Sequence, residues 1–403
     1  MGKKEKIILI VIAIVIVLGG LFYGGYQIYR IKHAKVIVTL KDSLVIEVGT
    51  RAKVSDFLES INGTLLDDFD IDTKTIGTKD VTFYFRNDDH IKVHSTFSLT
   101  IVDTTAPIVW LNQNYSVALG SDDSFIQRIM CVDNYDTSPV CKVNGTYDLN
   151  TVGVYPVEFE AVDSSGNVFT QNFSLTVYEP KKGGNSSSST NQTKTIFSEV
   201  VRDYKTEKTQ IGLDLSHWQG DVDFEELKRN GVEFVFLRVG TTNGRDGEFI
   251  LDKKFEQNIT KANEVGIPVG LYFYSYANTE EKAIAEAKWL LEQIKGRDVS
   301  LPIAFDWENW SKFNEFHLSL LGLSSMADGF IQTVEQAGYK GILYSSKSYL
   351  EKIWPSMDHA VWLAHYTSHT NYQGDYDFWQ MCSDGVISGI NGYVDINVRY
   401  LHE

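Results

Sequence analysis

The chain falls into four stretches of different hydrophobic rhythm. Lys3, Lys4 and Lys6 precede an apolar run from Ile7 to Tyr23, weaker to Tyr29. At 1.5 Å per residue such a helix matches a hydrocarbon core about 30 Å thick. From about Lys35 to Glu179 apolar and polar positions alternate in short runs, as in Val81-Phe83-Phe85 and Val157-Phe159-Ala161, which predicts β-strands. A Gly/Ser/Asn-rich stretch, Gly183 to Asn191, reads as a flexible linker. From Ile211 strands alternate with helices. Strands are expected at Ile211–Leu215, Glu233–Val239, Val269–Tyr274, Leu301–Asp306, Gly341–Ser345, Val361–His365, Asp377–Cys382 and Tyr393–Val398. Helices are expected at 224–230, 252–265, 280–295 and 318–337, with a short one ending near Ile353.

Eight strands and five helices predict an α/β barrel of (β/α)5β3 type, short of its last helices. The resulting division is 1–34 cytoplasmic tail and transmembrane anchor, 35–103 and 104–179 all-β repeats, 180–208 flexible linker, and 209–403 barrel. The two β segments share landmarks in the same order. Thr75-Ile76-Gly77 and Thr151-Val152-Gly153 open equivalent strands, and Phe97-Ser98-Leu99-Thr100 matches Phe173-Ser174-Leu175-Thr176. They resemble the immunoglobulin-like β-sandwich modules of bacterial surface proteins, with Asp103-Thr104-Thr105-Ala106-Pro107 as the junction. A spacer role is expected of them.

The apolar N-terminal run is longer than the usual signal-peptide core and lacks a small-x-small cleavage site, so an uncleaved anchor is favoured over a signal peptide. Arg30, Lys32 and Lys35 nearly balance the N-terminal lysines. Orientation therefore rests on the short tail and the large following domains, which favour a single-pass cell-membrane protein with its C-terminal domains extracellular. Three cysteines are too few for a disulfide framework. Cys131 and Cys141 lie close enough in sequence to pair in an exported domain, a question of geometry that sequence leaves open. Cys382 reads as a structural thiol. The net charge of −16 argues against a nucleic-acid partner. The histidines lack metal-ligand spacing, and no cofactor is expected.

In barrels of this kind the active site lies at the C-terminal ends of the strands. Asp214 ends the first strand, Asp306 and Glu308 end the fourth, and Asp395 lies on the eighth. Positions two apart on a strand face one side, about 6.6 Å apart, so Asp306 and Glu308 both face the mouth. Two carboxyls in a partly dry site repel, and one keeps its proton. That supplies the acid and the carboxylate of glycoside cleavage. Trp218, Tyr272, Tyr274, Tyr276, Tyr344, Trp362, Tyr366 and Trp379 lie near strand ends beside Gln380, as does Trp307. About half of these aromatics are expected to touch a sugar, the rest to be core.

The ordered motifs resemble glycoside hydrolase family 25, the Chalaropsis-type lysozymes. They are Gly212-Leu213-Asp214-Leu215-Ser216-His217-Trp218-Gln219-Gly220, the Gly266-Ile267-Pro268-Val269-Gly270 to Tyr276 stretch, Leu301-Pro302-Ile303-Ala304-Phe305-Asp306-Trp307-Glu308, Phe378-Trp379-Gln380, and Gly392-Tyr393-Val394-Asp395-Ile396-Asn397. The likeness covers about 209–403. It implies hydrolysis of the β-1,4 bond between N-acetylmuramic acid and N-acetylglucosamine in peptidoglycan glycan strands. It implies Glu308 as general acid. Asp306 would either steady developing positive charge or orient the substrate's N-acetyl group, and Asp214 and Asp395 would orient sugar and water and tune Glu308. The alternative is a non-catalytic glycan-binding surface adhesin.

Overall fold

The computed structural model describes residues 2–180, 194–354 and 358–401. The Gly/Ser-rich core of the expected linker, 181–193, lies outside the described residues. The chain divides into two compact units, Met1–Thr104 and Thr105–Glu403.

The first unit begins with a helix, Lys3–Lys32. Its stretch Val11–Lys32 has a mean hydropathy of 2.0 and none of it is buried, so it is long and apolar enough to cross a membrane. A signal sequence near the N-terminus would meet the same criterion. The remainder is β-structure. A long hairpin, Gly77–Asn87 with Lys92–Val102, is joined by Val45–Glu47, parallel to its second strand, and Gly63–Leu65, antiparallel to its first. Val38–Leu40 pairs separately with Leu58–Ile61. The alternation read from the sequence sets the buried face: Val81, Phe83, Phe85, Phe97, Leu99 and Ile101 are inside.

The second unit starts by repeating this plan. The hairpin is Gly153–Val162 with Val168–Tyr178, the parallel neighbour Asn114–Ala118 and the antiparallel one Val140–Asn144. Ile108–Trp110 pairs separately with Met130–Val132. Cys131 and Cys141 form a disulfide joining the small sheet to the large one.

The barrel follows. Its strands are β1 Thr209–Leu215, β2 Phe234–Thr242, β3 Val269–Ser275, β4 Ile303–Trp307, β5 Gly341–Ser346, β6 Val361–Ala364, β7 Phe378–Val386 and β8 Val394–Tyr400. The helices are α1 Phe224–Arg229, α2 Phe255–Glu264, α3 Glu280–Gln293, α4 Leu320–Gln336 and α5 Lys347–Lys352. Strands β1 to β7 are parallel in chain order. β8 runs antiparallel to both β7 and β1 and closes the ring. Closing with an antiparallel strand needs only a short connection from β7 and no helix, whereas the parallel β6 and β7 are joined through residues 365–377 without one.

Strand parity divides the core. Phe234, Phe236, Ala304, Ile342, Tyr344, Trp362 and Phe378 fill the barrel interior. Val235, Leu237, Leu271, Phe273, Phe305 and Leu343 face the helical layer. Phe236 stacks on Trp362 with centroids 4.2 Å apart. Gly270 makes room for this, since a Cβ there would lie 2.5 Å from the Phe236 ring. The sequence reading carried the linker to 208. Instead Thr195–Ile196 pairs with β7 and a helix, Phe197–Tyr204, buries Phe197 and Val200 against the barrel. Eight residues with two apolar contacts were too short a pattern to stand out beside a Ser-rich run.

Candidate active site

The four acidic residues gather at the mouth. On β1 and β8, Asp214 and Asp395 are register partners. Asp306, the fourth residue of β4, lies in register between Tyr274 of β3 and Tyr344 of β5, and Tyr344 pairs with Trp362. Glu308 follows one residue past the strand. All four line a single cavity of about 210 Å³, open to solvent, with Trp218, Tyr272, Tyr274, Tyr344, Trp362, Tyr366 and Gln380.

The acids form two hydrogen-bonded pairs, Asp306 with Glu308 and Asp214 with Asp395. Asp214 is buried and also accepts from Asn397 Nδ2 at 2.7 Å and Gln380 Nε2 at 3.0 Å. Both amides are held in turn. Asn397 Oδ1 accepts from the Trp362 indole at 2.8 Å, and Gln380 Oε1 accepts from the hydroxyls of Tyr344 and Tyr366 at 2.9 and 3.0 Å. Burial raises the Asp214 carboxyl, opposed by its three donors. Burial, then the Asp214 charge, push Asp395 up to about 9, so Asp395 is the proton donor of that pair at neutral pH.

In the other pair, burial and the Glu308 charge raise Asp306 well above the carboxylate range. Glu308 is raised too, first by the protein around it, while its hydrogen bond from Asp306 pulls the other way. Both shifts favour keeping a proton on the pair. The two differ in access: Asp306 is 4% exposed, whereas Glu308 stands at the rim, open to solvent. Oδ1 of Asp306 is buried with no hydrogen-bond partner among the described residues. Burial also raises the phenols of Tyr272, Tyr274, Tyr344 and Tyr366, which remain hydrogen-bond donors.

Three aromatics singled out from the sequence lie elsewhere. Trp379 sits between the inward Phe378 and Gln380, so parity turns it into the outer layer, edge-on to Tyr204. Trp307, between Asp306 and Glu308, likewise turns outward and donates to the Ala277 carbonyl at 2.9 Å. Tyr276 follows the end of β3 and packs on Tyr274, outside the cavity lining. Conversely Ser216, Gln219 and Arg238 line the cavity and were not expected there. Arg238 is readable from parity, since it continues the inward series Phe234, Phe236. Its guanidinium holds Asp252 at 2.7 and 2.9 Å and also contacts His217. Trp218 is 77% exposed and Tyr366 58%, so two rings flank a floor formed by Tyr344 and Trp362.

A strand-end mouth with two carboxyl pairs, one acid reaching solvent and open aromatic faces holds the groups that glycoside cleavage requires. Residues 213–390 match the family described as Glycosyl hydrolases family 25. The match lies within the barrel and spans under half of the chain. Lysozyme M1 of Streptomyces globisporus is 27% identical over 205 residues, 46% of this chain and 66% of its own. The uncharacterized protein YegX of Escherichia coli K12 is 28% identical over 195 residues, 46% of this chain and 68% of its own. Among solved structures, the modular autolysin LytC of Streptococcus pneumoniae, in complex with a synthetic peptidoglycan ligand, is 26% identical with a TM-score of 0.44. That alignment covers 60% of this chain and 56% of LytC.

Proposed function

We propose that this chain is a membrane-anchored muramidase that faces outward and cleaves the β-1,4 bond between N-acetylmuramic acid and N-acetylglucosamine in peptidoglycan. The observation that carries the reading is the Asp306–Glu308 pair, a buried carboxyl beside one open to the groove, both inclined to hold a proton. Only Glu308 has the access to protonate a leaving oxygen, and Asp306 is the reservoir beside it. General acid catalysis of this kind contributes about 10²–10⁴-fold.

Once Glu308 has given up its proton, Asp306 faces a growing positive charge at the sugar. Its unpartnered Oδ1 is placed to accept a hydrogen bond from the substrate, such as an N-acetyl N–H, which would orient that group as internal nucleophile. Asp214, fixed by Asn397, Gln380 and Asp395, supplies a negative field that favours the protonated form of Glu308. The exposed faces of Trp218 and Tyr366 offer stacking surfaces for sugar rings on either side of the scissile bond. The lysozyme and autolysin names of its relatives support peptidoglycan as the substrate.

The N-terminal helix serves in this reading as an uncleaved anchor. Its 22-residue apolar stretch spans about 33 Å, enough for a hydrocarbon core. The β-modules that follow are read as immunoglobulin-like, the first of them a spacer. The test is digestion of purified peptidoglycan by the full chain in detergent micelles. New muramic-acid reducing ends are expected. New glucosamine reducing ends, or none, would overturn the assignment.

A further inference from the structure

The second β-module, Thr105 to Pro180, docks on the barrel against the segment that follows Glu308 and, through Trp110, against α5. Met130 and Val132 of its small sheet belong to the barrel's own buried core. Asn314 makes three hydrogen bonds to the same strand and its approach. Its Oδ1 accepts from the Cys131 amide at 3.2 Å, and its Nδ2 donates to the carbonyls of Gln127 and Ile129, each at 3.1 Å. Farther along, the amides of Leu320 and Leu321 donate to the carbonyls of Asp133 and Asn134 at 2.8 and 3.0 Å. These are first-turn amides of α4, which lack partners inside their own helix. His317, held at a left-handed φ of 51°, meets the Ser138 hydroxyl at 3.0 Å.

That segment is the outer wall of the acidic strand end. Trp310, Phe313 and Phe316 pack on Trp307 with centroids 4.9, 5.8 and 6.0 Å away, and Trp307 lies between Asp306 and Glu308. Buried Asn309 ties the same stretch to the Ser275 carbonyl at 2.8 Å. A second path runs through rings. Trp110 of the module packs on Tyr349 at 4.9 Å, Tyr349 stacks on Trp310 at 3.8 Å, and Lys352 lies 4.4 Å over Trp110.

We propose that the 105–180 module is a working part of the hydrolase, which fixes Glu308 in register with Asp306 by gripping residues 309–321, with Asn314 as the positioning residue. This rests on the muramidase reading of the site, but the grip itself can be measured without turnover. A polar side chain with three backbone partners in another module is a poor choice for a mere spacer contact, since such bonds contribute only when the geometry is kept. Small displacements at a reacting centre cost far more in rate than in stability.

The experiment compares Asn314→Ala with the native full chain in detergent micelles. Backbone amide exchange across 309–321 is expected to rise about tenfold or more while β1 to β3 stay protected. On peptidoglycan, kcat should fall about tenfold with KM within about twofold, and the pH profile of kcat should shift as the Asp306–Glu308 pair loosens. Trp110→Ala should reproduce the pattern more weakly and Trp110→Phe should restore it. If Asn314→Ala does not fold, the Trp110 pair decides by the same criteria. Unchanged exchange at 309–321, or a folded variant with native kcat and pH profile, overturns the proposal. Should the native chain release no reducing ends, the muramidase reading falls and exchange alone judges the grip.

Discussion

Replacing Asp395 by asparagine should make the barrel more stable at neutral pH, and the gain should depend on pH. Asp395 is held protonated up to about 9 by burial and by the Asp214 charge beside it. In the unfolded chain an aspartate titrates near 4. The folded state therefore keeps a proton that the unfolded state has lost, and stability falls as pH rises from about 4 toward 9. Between pH 4 and 7 that is three pH units at about 1.4 kcal/mol each, an upper limit near 4 kcal/mol. The side chain is partly open to the groove, so screening reduces this to roughly 2–4 kcal/mol. Asparagine keeps the size and can donate to Asp214 as the protonated acid does, yet it never titrates. Asp395→Asn should then match the native chain near pH 4 and exceed it by about 2–4 kcal/mol at pH 7. For a barrel of this size that is about 5–10 °C in Tm. Calorimetric scans of both proteins from pH 4 to 8 measure it. A stability difference independent of pH, or a loss at pH 7, would refute the reasoning.

Two other substitutions separate support from contact. Asn397→Ala removes the 2.7 Å bond to the Asp214 carboxylate and leaves the buried Trp362 indole without its acceptor. Denaturant unfolding should show a loss of about 3–5 kcal/mol, the combined cost of a charge-assisted bond and an unpaired buried donor. Trp218→Ala, at a ring 77% exposed, should change stability by less than about 0.5 kcal/mol. Its KM for peptidoglycan should rise about 3- to 10-fold with kcat nearly unchanged, the signature of a stacking contact made equally in ground and transition states.

The barrel was legible because its code is local. Each of the eight strands and five helices expected from periodicity is present, displaced by at most about four residues at either end. The four acids were legible because strand ends are where such a barrel presents chemistry. Side-chain direction was the weak point. Counting parity along β7 and β4 would have turned Trp379 and Trp307 outward, and along β2 would have admitted Arg238, whereas proximity to a strand end alone favoured the wrong rings. The pairing of Asp214 with Asp395 depends on β8 being antiparallel, which no motif states. The contact between Asn314 and the strand Met130–Val132 was out of reach. It joins residues 183 apart that carry no shared pattern, and only the folded chain brings them together.

The central claim is that Glu308 delivers the proton that cleaves a glycan. It is tested most directly by reducing-end analysis of peptidoglycan digested with the native full chain and with Glu308→Gln, each also assayed for binding to the intact glycan. The account predicts muramic-acid reducing ends from the native chain, a loss of about 10²-fold or more in the variant, and undiminished binding by both. Equal turnover by Glu308→Gln would contradict it, and binding without turnover by the native chain would instead support a glycan-binding surface protein.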